Sequence, residues 1–326
     1  MKVFVTREIP DAGLELLKQA GCTLTVYTDK INLNRQQLIH TCKTQDALLS
    51  AGPNLLDANF FEECNNLKVV SLHSAGFDRV DINAANKFKI PVSNTPDVLS
   101  KATSDVAFLL MIAVSRKALY MYKKILDGEW GFFDPTADLG VELYNKTLGV
   151  FGLGKIGVEM AKKCKAAYNM KIIYNNRKPN ETAEKTLDAQ YVSFDELLAQ
   201  SDVLSVHANL SDETKGIFNK AAFDRMKSTS IFINTSRGSV HNEEDLIAAL
   251  KEGKIWGAGL DVTNPEPMKP DNPLLNMPSV AVLPHIGSAT VEARNGMSRL
   301  AAENIIEFYK NGRIPNFVNP EVIKQE

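Results

Sequence analysis

The stretch over residues 148–157, Leu-Gly-Val-Phe-Gly-Leu-Gly-Lys-Ile-Gly, constrains the chain most. An apolar run ends in Gly152, and Gly154 and Gly157 complete G-x-G-x-x-G. A helical pattern follows over 158–168, then a second apolar run, Lys171-Ile172-Ile173-Tyr174. Strand, tight glycine turn, helix and strand in that order form the frame in which a backbone approaches a pyrophosphate closely and a helix N-terminus offers it free N–H groups. We therefore expect a dinucleotide site built on Gly152, Gly154 and Gly157.

The end of the second strand bears on which dinucleotide. A cofactor with a free ribose 2′-hydroxyl is usually met there by an Asp or Glu. This chain has Asn175-Asn176-Arg177-Lys178-Pro179, with no carboxylate and two cations. A 2′-phosphate suits that charge, because the planar guanidinium fork matches phosphate oxygens. NADP(H) is the favoured expectation and NAD(H) the alternative, with Asn176, Arg177 and Lys178 as the contacts.

At 326 residues the chain is long for one core and suits two domains. A net charge of −2 gives no electrostatic case for nucleic acid or an anionic membrane as partner. Residues 1–6 read as a first strand rather than a secretion signal, and no apolar stretch reaches the ~20 residues of a membrane span. Cys22, Cys42, Cys64 and Cys164 are scattered without a C-x-x-C pair. We expect no metal site, no disulfide framework and a cytoplasmic setting.

Short apolar runs alternate with helical stretches through the first 98 residues: strands at 3–5, 23–27, 47–50, 69–72 and 91–93, helices over 12–20, 34–42 and 57–64. Asn34 is a helix cap and Gly21 a helix end. This pattern predicts a parallel, doubly wound sheet. A long apolar helix is expected over 103–119, capped by Thr103 or Ser104 and, because it is apolar all round, buried within the chain or at a dimer interface. The stretch 127–144, with Trp130, Phe132 and Phe133, lacks periodicity and reads as an arm on a partner subunit or a cleft rim. Further strands are expected at 202–207, 230–234, 257–262 and 280–283, and helices over 243–252 and 293–311. The expected architecture is α/β with two doubly wound parallel-sheet domains. A Rossmann dinucleotide-binding domain (99–287) is inserted in a flavodoxin-like substrate domain (1–98 plus 288–326).

Three polar clusters follow predicted strands: Asn234-Thr235-Ser236-Arg237-Gly238, Asp261-Val262-Thr263-Asn264-Pro265-Glu266-Pro267, and Pro284-His285-Ile286-Gly287-Ser288-Ala289-Thr290. Open parallel sheets bind ligands at the carboxyl ends of their strands. Hydride transfer to a keto acid needs a cation to hold carboxylate and carbonyl, and an acid to protonate the oxygen. Arg237, Glu266 and His285 are the candidate set.

Taken together, the G-L-G-K-I-G, N-T-S-R-G, G-L-D-V-x-x-x-E-P and L-P-H-I-G-S-A-T motifs resemble the D-2-hydroxyacid dehydrogenase family over nearly the whole chain. The similarity points to its glyoxylate/hydroxypyruvate reductase branch. The resemblance implies that Arg237 binds and polarises substrate, that His285 donates the proton, and that Glu266 pairs with His285. It implies cofactor contacts at Thr103, Gly152, Gly154, Lys155, Ile156, Gly157, Asn176, Arg177, Lys178, His207, Asn209, Thr214, Thr235, Asp261 and Gly287. Asp261 would hold the nicotinamide amide. The backbone N–H groups of Ala75 and Gly76 would bind the carboxylate of a small 2-keto or 2-hydroxy acid, with His73 lining the pocket or serving structure. A homodimer, and domain closure about the crossings near 98 and 287, also follow from the resemblance. Two departures stand out: Asn209 replaces the usual proline of the cofactor loop, and Phe133-Asp134-Pro135 replaces the branch's Trp-x-Pro. The alternatives are a dinucleotide-sensing corepressor-like protein, or a 2-ketogluconate or phosphite specificity on the same fold.

Overall fold

Runs such as Val69-Val70-Ser71-Leu72 are buried on both faces, which is how strands of a helix-covered parallel sheet read. The computed structural model describes residues 1–322, and the last four residues of the expected 288–326 segment lie outside the described residues. The chain divides into two compact units: Met1–Leu99 with the chain from Ala289 onward, and Ser100–Ser288.

The first unit carries a five-stranded sheet of β1 (Lys2–Val5), β2 (Thr23–Val26), β3 (Ala47–Ser50), β4 (Val69–Leu72) and β5 (Val92–Ser93), in the order β2-β1-β3-β4-β5, all pairs parallel. Asn34 caps the helix Arg35–Cys42 in a capping box with Gln37, satisfying two otherwise orphan N–H groups. The helix Val291–Asn311 begins at the Thr290 cap and ends at Gly312, whose φ is +63°. It crosses the helix Asp11–Gln19 so closely that a Cβ at Gly13 would lie 2.2 Å from the Ser298 carbonyl oxygen. One short helix, Ile82–Lys87, is absent from the sequence reading.

The second unit carries seven parallel strands: β6 (Thr147–Phe151), β7 (Lys171–Asn175), β8 (Gln190–Tyr191), β9 (Val203–Val206), β10 (Ile231–Asn234), β11 (Gly257–Leu260) and β12 (Val280–Val282). Their order is β12-β11-β10-β9-β6-β7-β8, so the strand order reverses beside β6. The reversal places the glycine turn after β6 at the switch point, where open sheets bind ligands.

The expected helix over 103–119 is corrected. It runs Ser100–Ser115, and a second helix, Ala118–Leu126, starts after Lys117 adopts the left-handed conformation at φ 54°. Thr103 and Ser104 therefore lie inside the helix, and the Ser104 hydroxyl donates to the Lys101 carbonyl instead of capping. Within the single chain one side of the helix stays open, with Leu109 52% exposed. Its other face packs on β10 and β11, where glycines admit it: a Cβ at Gly257 would lie 2.7 Å from Val114 Cγ1, and one at Gly259 2.9 Å from Leu110 Cβ. Residues 127–144 contain neither helix nor strand, and Trp130, Phe132 and Phe133 are each at least four-fifths exposed. Among the described residues no helix is long and apolar enough to cross a membrane. No cluster of metal-ligating side chains occurs among them either, and the four cysteines are buried free thiols.

Candidate active site

The turn after β6 is built from three glycines with different tasks. Gly152 takes φ +95°, and a Cβ there would lie 2.6 Å from the Ala208 backbone nitrogen. Gly157 faces its own turn, where a Cβ would lie 2.6 Å from the Gly152 carbonyl oxygen. Gly154 is the N-cap of the helix Lys155–Tyr168; it offers no side-chain cap, and the direction its Cβ would take is open. The first helical residues after it are Lys155 and Ile156. A helix N-terminus whose N-cap is a glycine fits a pyrophosphate, because its backbone N–H groups and the positive end of the helix dipole favour an anion.

Asn176 braces this turn: its Oδ1 accepts from the Leu153 N–H at 2.6 Å. Arg177 and Lys178 are exposed beside it. On the neighbouring strand ends, the His207 ring meets the Ser205 hydroxyl at 2.8 Å and the Thr235 hydroxyl at 3.4 Å. The Asn209 loop is closed by Thr214, whose hydroxyl donates to the Asn209 carbonyl at 2.7 Å and accepts from the Ser211 N–H at 2.8 Å. Gly287 is held close to the long helix, since a Cβ there would lie 3.2 Å from Thr103 Cγ2 and 2.9 Å from Asp261 Oδ2.

Arg237, Glu266 and His285 come from three successive strand ends of the same sheet. Arg237 follows β10 in extended backbone, φ −144° and ψ 140°. Gly238 then lets its turn press on the loop after β11, where a Cβ would lie 2.0 Å from the Thr263 carbonyl oxygen. Glu266 lies on that loop, braced by the Thr263 hydroxyl donating to the Pro265 carbonyl at 2.8 Å. His285 follows β12, and its Nδ1 lies 2.6 Å from Glu266 Oε1. Partial burial raises the Glu266 pKa, but the hydrogen bond and charge of His285, helped by Arg237, outweigh it and hold the carboxyl below its ordinary value. An ionised carboxylate only accepts, so His285 Nδ1 carries the proton of that bond.

Asp261, at the end of β11, is 1% exposed. Its two oxygens accept from the backbone N–H groups of Ile286 and Gly287, each at 2.8 Å. Burial pushes its carboxyl above the usual carboxylate range. Its contacts in the structure are with the backbone just after His285, a bracing task not visible in the sequence.

Ala75 and Gly76 belong to the other unit, on the loop after β4. The Ala75 carbonyl accepts from Asn94 Nδ2 at 2.7 Å, and the Gly76 carbonyl accepts from the Ser74 hydroxyl at 2.8 Å. Their own backbone N–H groups have no hydrogen-bond partner among the described residues. His73 is 8% exposed, with Nε2 buried and unpartnered, and burial pushes its pKa down to about 4. Sequence reasoning also passed over Asn234 and Gly238 as individual residues, although both stand inside the first polar cluster.

The chain has known relatives in sequence and in fold. Residues 108–287 match the family model described as D-isomer specific 2-hydroxyacid dehydrogenase, NAD binding domain. The chain is 39% identical to a glyoxylate reductase of Korarchaeum cryptofilum, covering 99% of this chain and 97% of that one. Among solved structures, a glyoxylate reductase from Paecilomyes thermophila superposes with TM-score 0.88 at 33% identity, over 98% of both chains. An NADPH-dependent glyoxylate/hydroxypyruvate reductase from Sinorhizobium meliloti, in complex with NADP and malonate, superposes with TM-score 0.85 at 28% identity, over 97% of this chain and 96% of that one. With a family model matching more than half of the chain and a full-length relative at 39% identity, the chain belongs to the D-isomer specific 2-hydroxyacid dehydrogenase family.

Proposed function

We propose that the protein is an NADP(H)-preferring reductase of small 2-keto acids, of the glyoxylate or hydroxypyruvate type, yielding the D-2-hydroxy acid. The observation that carries this reading is the 2.6 Å contact between Glu266 Oε1 and His285 Nδ1, with Arg237 lowering the same carboxyl. The bound nicotinamide supplies the hydride. Glu266 accepts from Nδ1–H and fixes the imidazole, so that a proton held at Nε2 is the one delivered to the substrate oxygen. Arg237 holds the carboxylate and draws charge from the carbonyl. The free N–H groups of Ala75 and Gly76 bind the carboxylate.

In this reading the pyrophosphate lies on Gly152, Gly154, Lys155, Ile156 and Gly157. Thr103, His207, Asn209, Thr214, Thr235, Asp261 and Gly287 line the rest of the cofactor site. Arg177 and Lys178 take the 2′-phosphate, and Asn176, which replaces a carboxylate at that strand end, does not repel it. The NADP complex of the Sinorhizobium meliloti relative supports this nucleotide. The exposed apolar stretch from Leu119 through Phe133 supports a homodimer formed through that surface.

The test is steady-state reduction of glyoxylate, hydroxypyruvate, pyruvate and 2-ketogluconate with NADPH and with NADH. We expect NADPH with glyoxylate or hydroxypyruvate to give the highest kcat/KM. Inactivity with all four acids would refute the reading.

A further inference from the structure

The side-chain amide of Asn234 is a buried junction that the proposed reaction does not use. Asn234 ends β10 and is fully buried. Its Nδ2 donates to the Arg237 carbonyl at 2.9 Å and meets His241 Nδ1 at 3.0 Å. Its Oδ1 accepts from both the backbone N–H and the hydroxyl of Ser236, each at 2.9 Å. A primary amide has two N–H donors and two lone-pair directions. All four are occupied.

The chain of contacts ends on the guanidinium. The Ser236 carbonyl accepts from Arg237 Nη1 at 2.7 Å. Asn234 thus grips the Arg237 main chain directly and the Arg237 side chain through Ser236. The Arg237 carbonyl, which only accepts, and the Ser236 N–H, which only donates, settle which way the amide faces, and His241 takes the second amide hydrogen. Its ring is 2% exposed and stacks edge-on against Phe232, 5.7 Å between centroids. Burial pushes its pKa down to about 4, so the ring is neutral near pH 7. Facing an N–H donor, Nδ1 is the bare nitrogen. A flipped amide would set Oδ1 against the Arg237 carbonyl oxygen and its N–H groups against the Ser236 N–H, and that double repulsion excludes it.

We propose that Asn234 and His241 are positioning residues for Arg237, setting the direction of its guanidinium toward the substrate through a fully satisfied buried amide. The inference rests on the reading of Arg237 as the substrate-binding cation. Neither residue touches substrate in this account; both act through Arg237.

A double-mutant cycle on kcat/KM for the preferred keto acid tests it. Asn234→Ala should lower kcat/KM by roughly 10- to 100-fold, in line with second-layer supports elsewhere, with NADPH affinity within about twofold. In an Arg237→Ala background the same substitution should cost nothing further, because the group it positions is gone. His241→Leu should lose activity by the same route. His241→Asn, whose Oδ1 can accept where Nδ1 did, should restore most of it. The His241 pair carries the test if Asn234→Ala fails to fold. Additive losses in the cycle, or His241→Asn as impaired as His241→Leu, would overturn the inference alone. An Arg237→Ala enzyme with full activity would overturn the functional reading, and this inference with it.

Discussion

His285 Nδ1 sits 2.6 Å from Glu266 Oε1, and His285 reaches that point with its backbone at φ 53°. The left-handed conformation is disfavoured for a residue with a Cβ and is kept only where the surroundings over-determine it. Asp261 supplies that constraint by accepting from the two backbone N–H groups that follow. Substituting Glu266 therefore tests its charge, provided the loop stays in place. Glu266→Gln keeps the shape and replaces the anion that accepts from Nδ1–H with a neutral amide that can turn either its oxygen or its NH2 to the ring. The imidazole is then held less firmly, and kcat at neutral pH should fall by roughly tenfold or more. Steady-state kinetics of the variant checks this; an unchanged kcat would count against the pairing.

Gly238 joins the Arg237 turn to the Glu266 loop. With 2.0 Å available between its Cβ direction and the Thr263 carbonyl, Gly238→Ala must push the two loops apart. Overpacking of this kind costs about 1–3 kcal/mol in stability. It should cost more in activity than in folding, since it separates Arg237 from Glu266. Thermal melting and kcat/KM on the same samples test the comparison. A variant with normal activity would show that the spacing of these loops is not critical.

What was legible in the sequence follows from how locally each feature is determined. β4, β6 and β7 announce themselves because each is a short apolar run. The Asn34 cap and the Gly21 and Gly312 helix ends are set by their own side chains or the lack of one. The helices Glu181–Leu187, Phe194–Gln200 and Lys220–Arg225 went unread because six or seven residues carry too little periodicity. Their caps Asn180, Ser193 and Asn219 were the available signal. The break at Lys117 has no local cause in residue type, and the apolar run hid it. At the site, the triad residues stood out because strand ends collect ligands. The contacts of Asn234 did not, because they close only when the turn after β10 brings His241 back to the same strand end. Asp261 likewise looks like a free carboxylate until Ile286 and Gly287 are seen to occupy both its oxygens.

The cofactor preference has its own test. Asn176 Oδ1 braces the glycine turn through the Leu153 N–H, and an Asp there can accept the same bond. Asn176→Asp should leave the turn intact while its charge repels a 2′-phosphate. The ratio of kcat/KM with NADPH to that with NADH should fall by roughly tenfold or more, and Arg177→Ala should move it the same way. Unchanged ratios in both variants would refute the assignment of the 2′-phosphate to this strand end.

Buried histidines set a pH limit on stability. His73 and His241 have folded pKa values of about 4, against about 6.5 for an unfolded chain. Between those values the unfolded state binds more protons, so stability falls as pH drops through the window and this contribution levels off below about 4. Tm measured from neutral to acid pH should decline accordingly. His241→Leu should flatten part of that slope; an equally steep decline in the variant would contradict the account.

The central claim is that His285, held by Glu266, hands the proton to a keto acid oxygen as reduction proceeds. The direct measurement is single-turnover reduction by His285→Ala, set beside the NADPH dissociation constant of the same variant. The account predicts a turnover rate lower by roughly 10²- to 10⁴-fold with cofactor affinity unchanged. Wild-type turnover in that variant would contradict it.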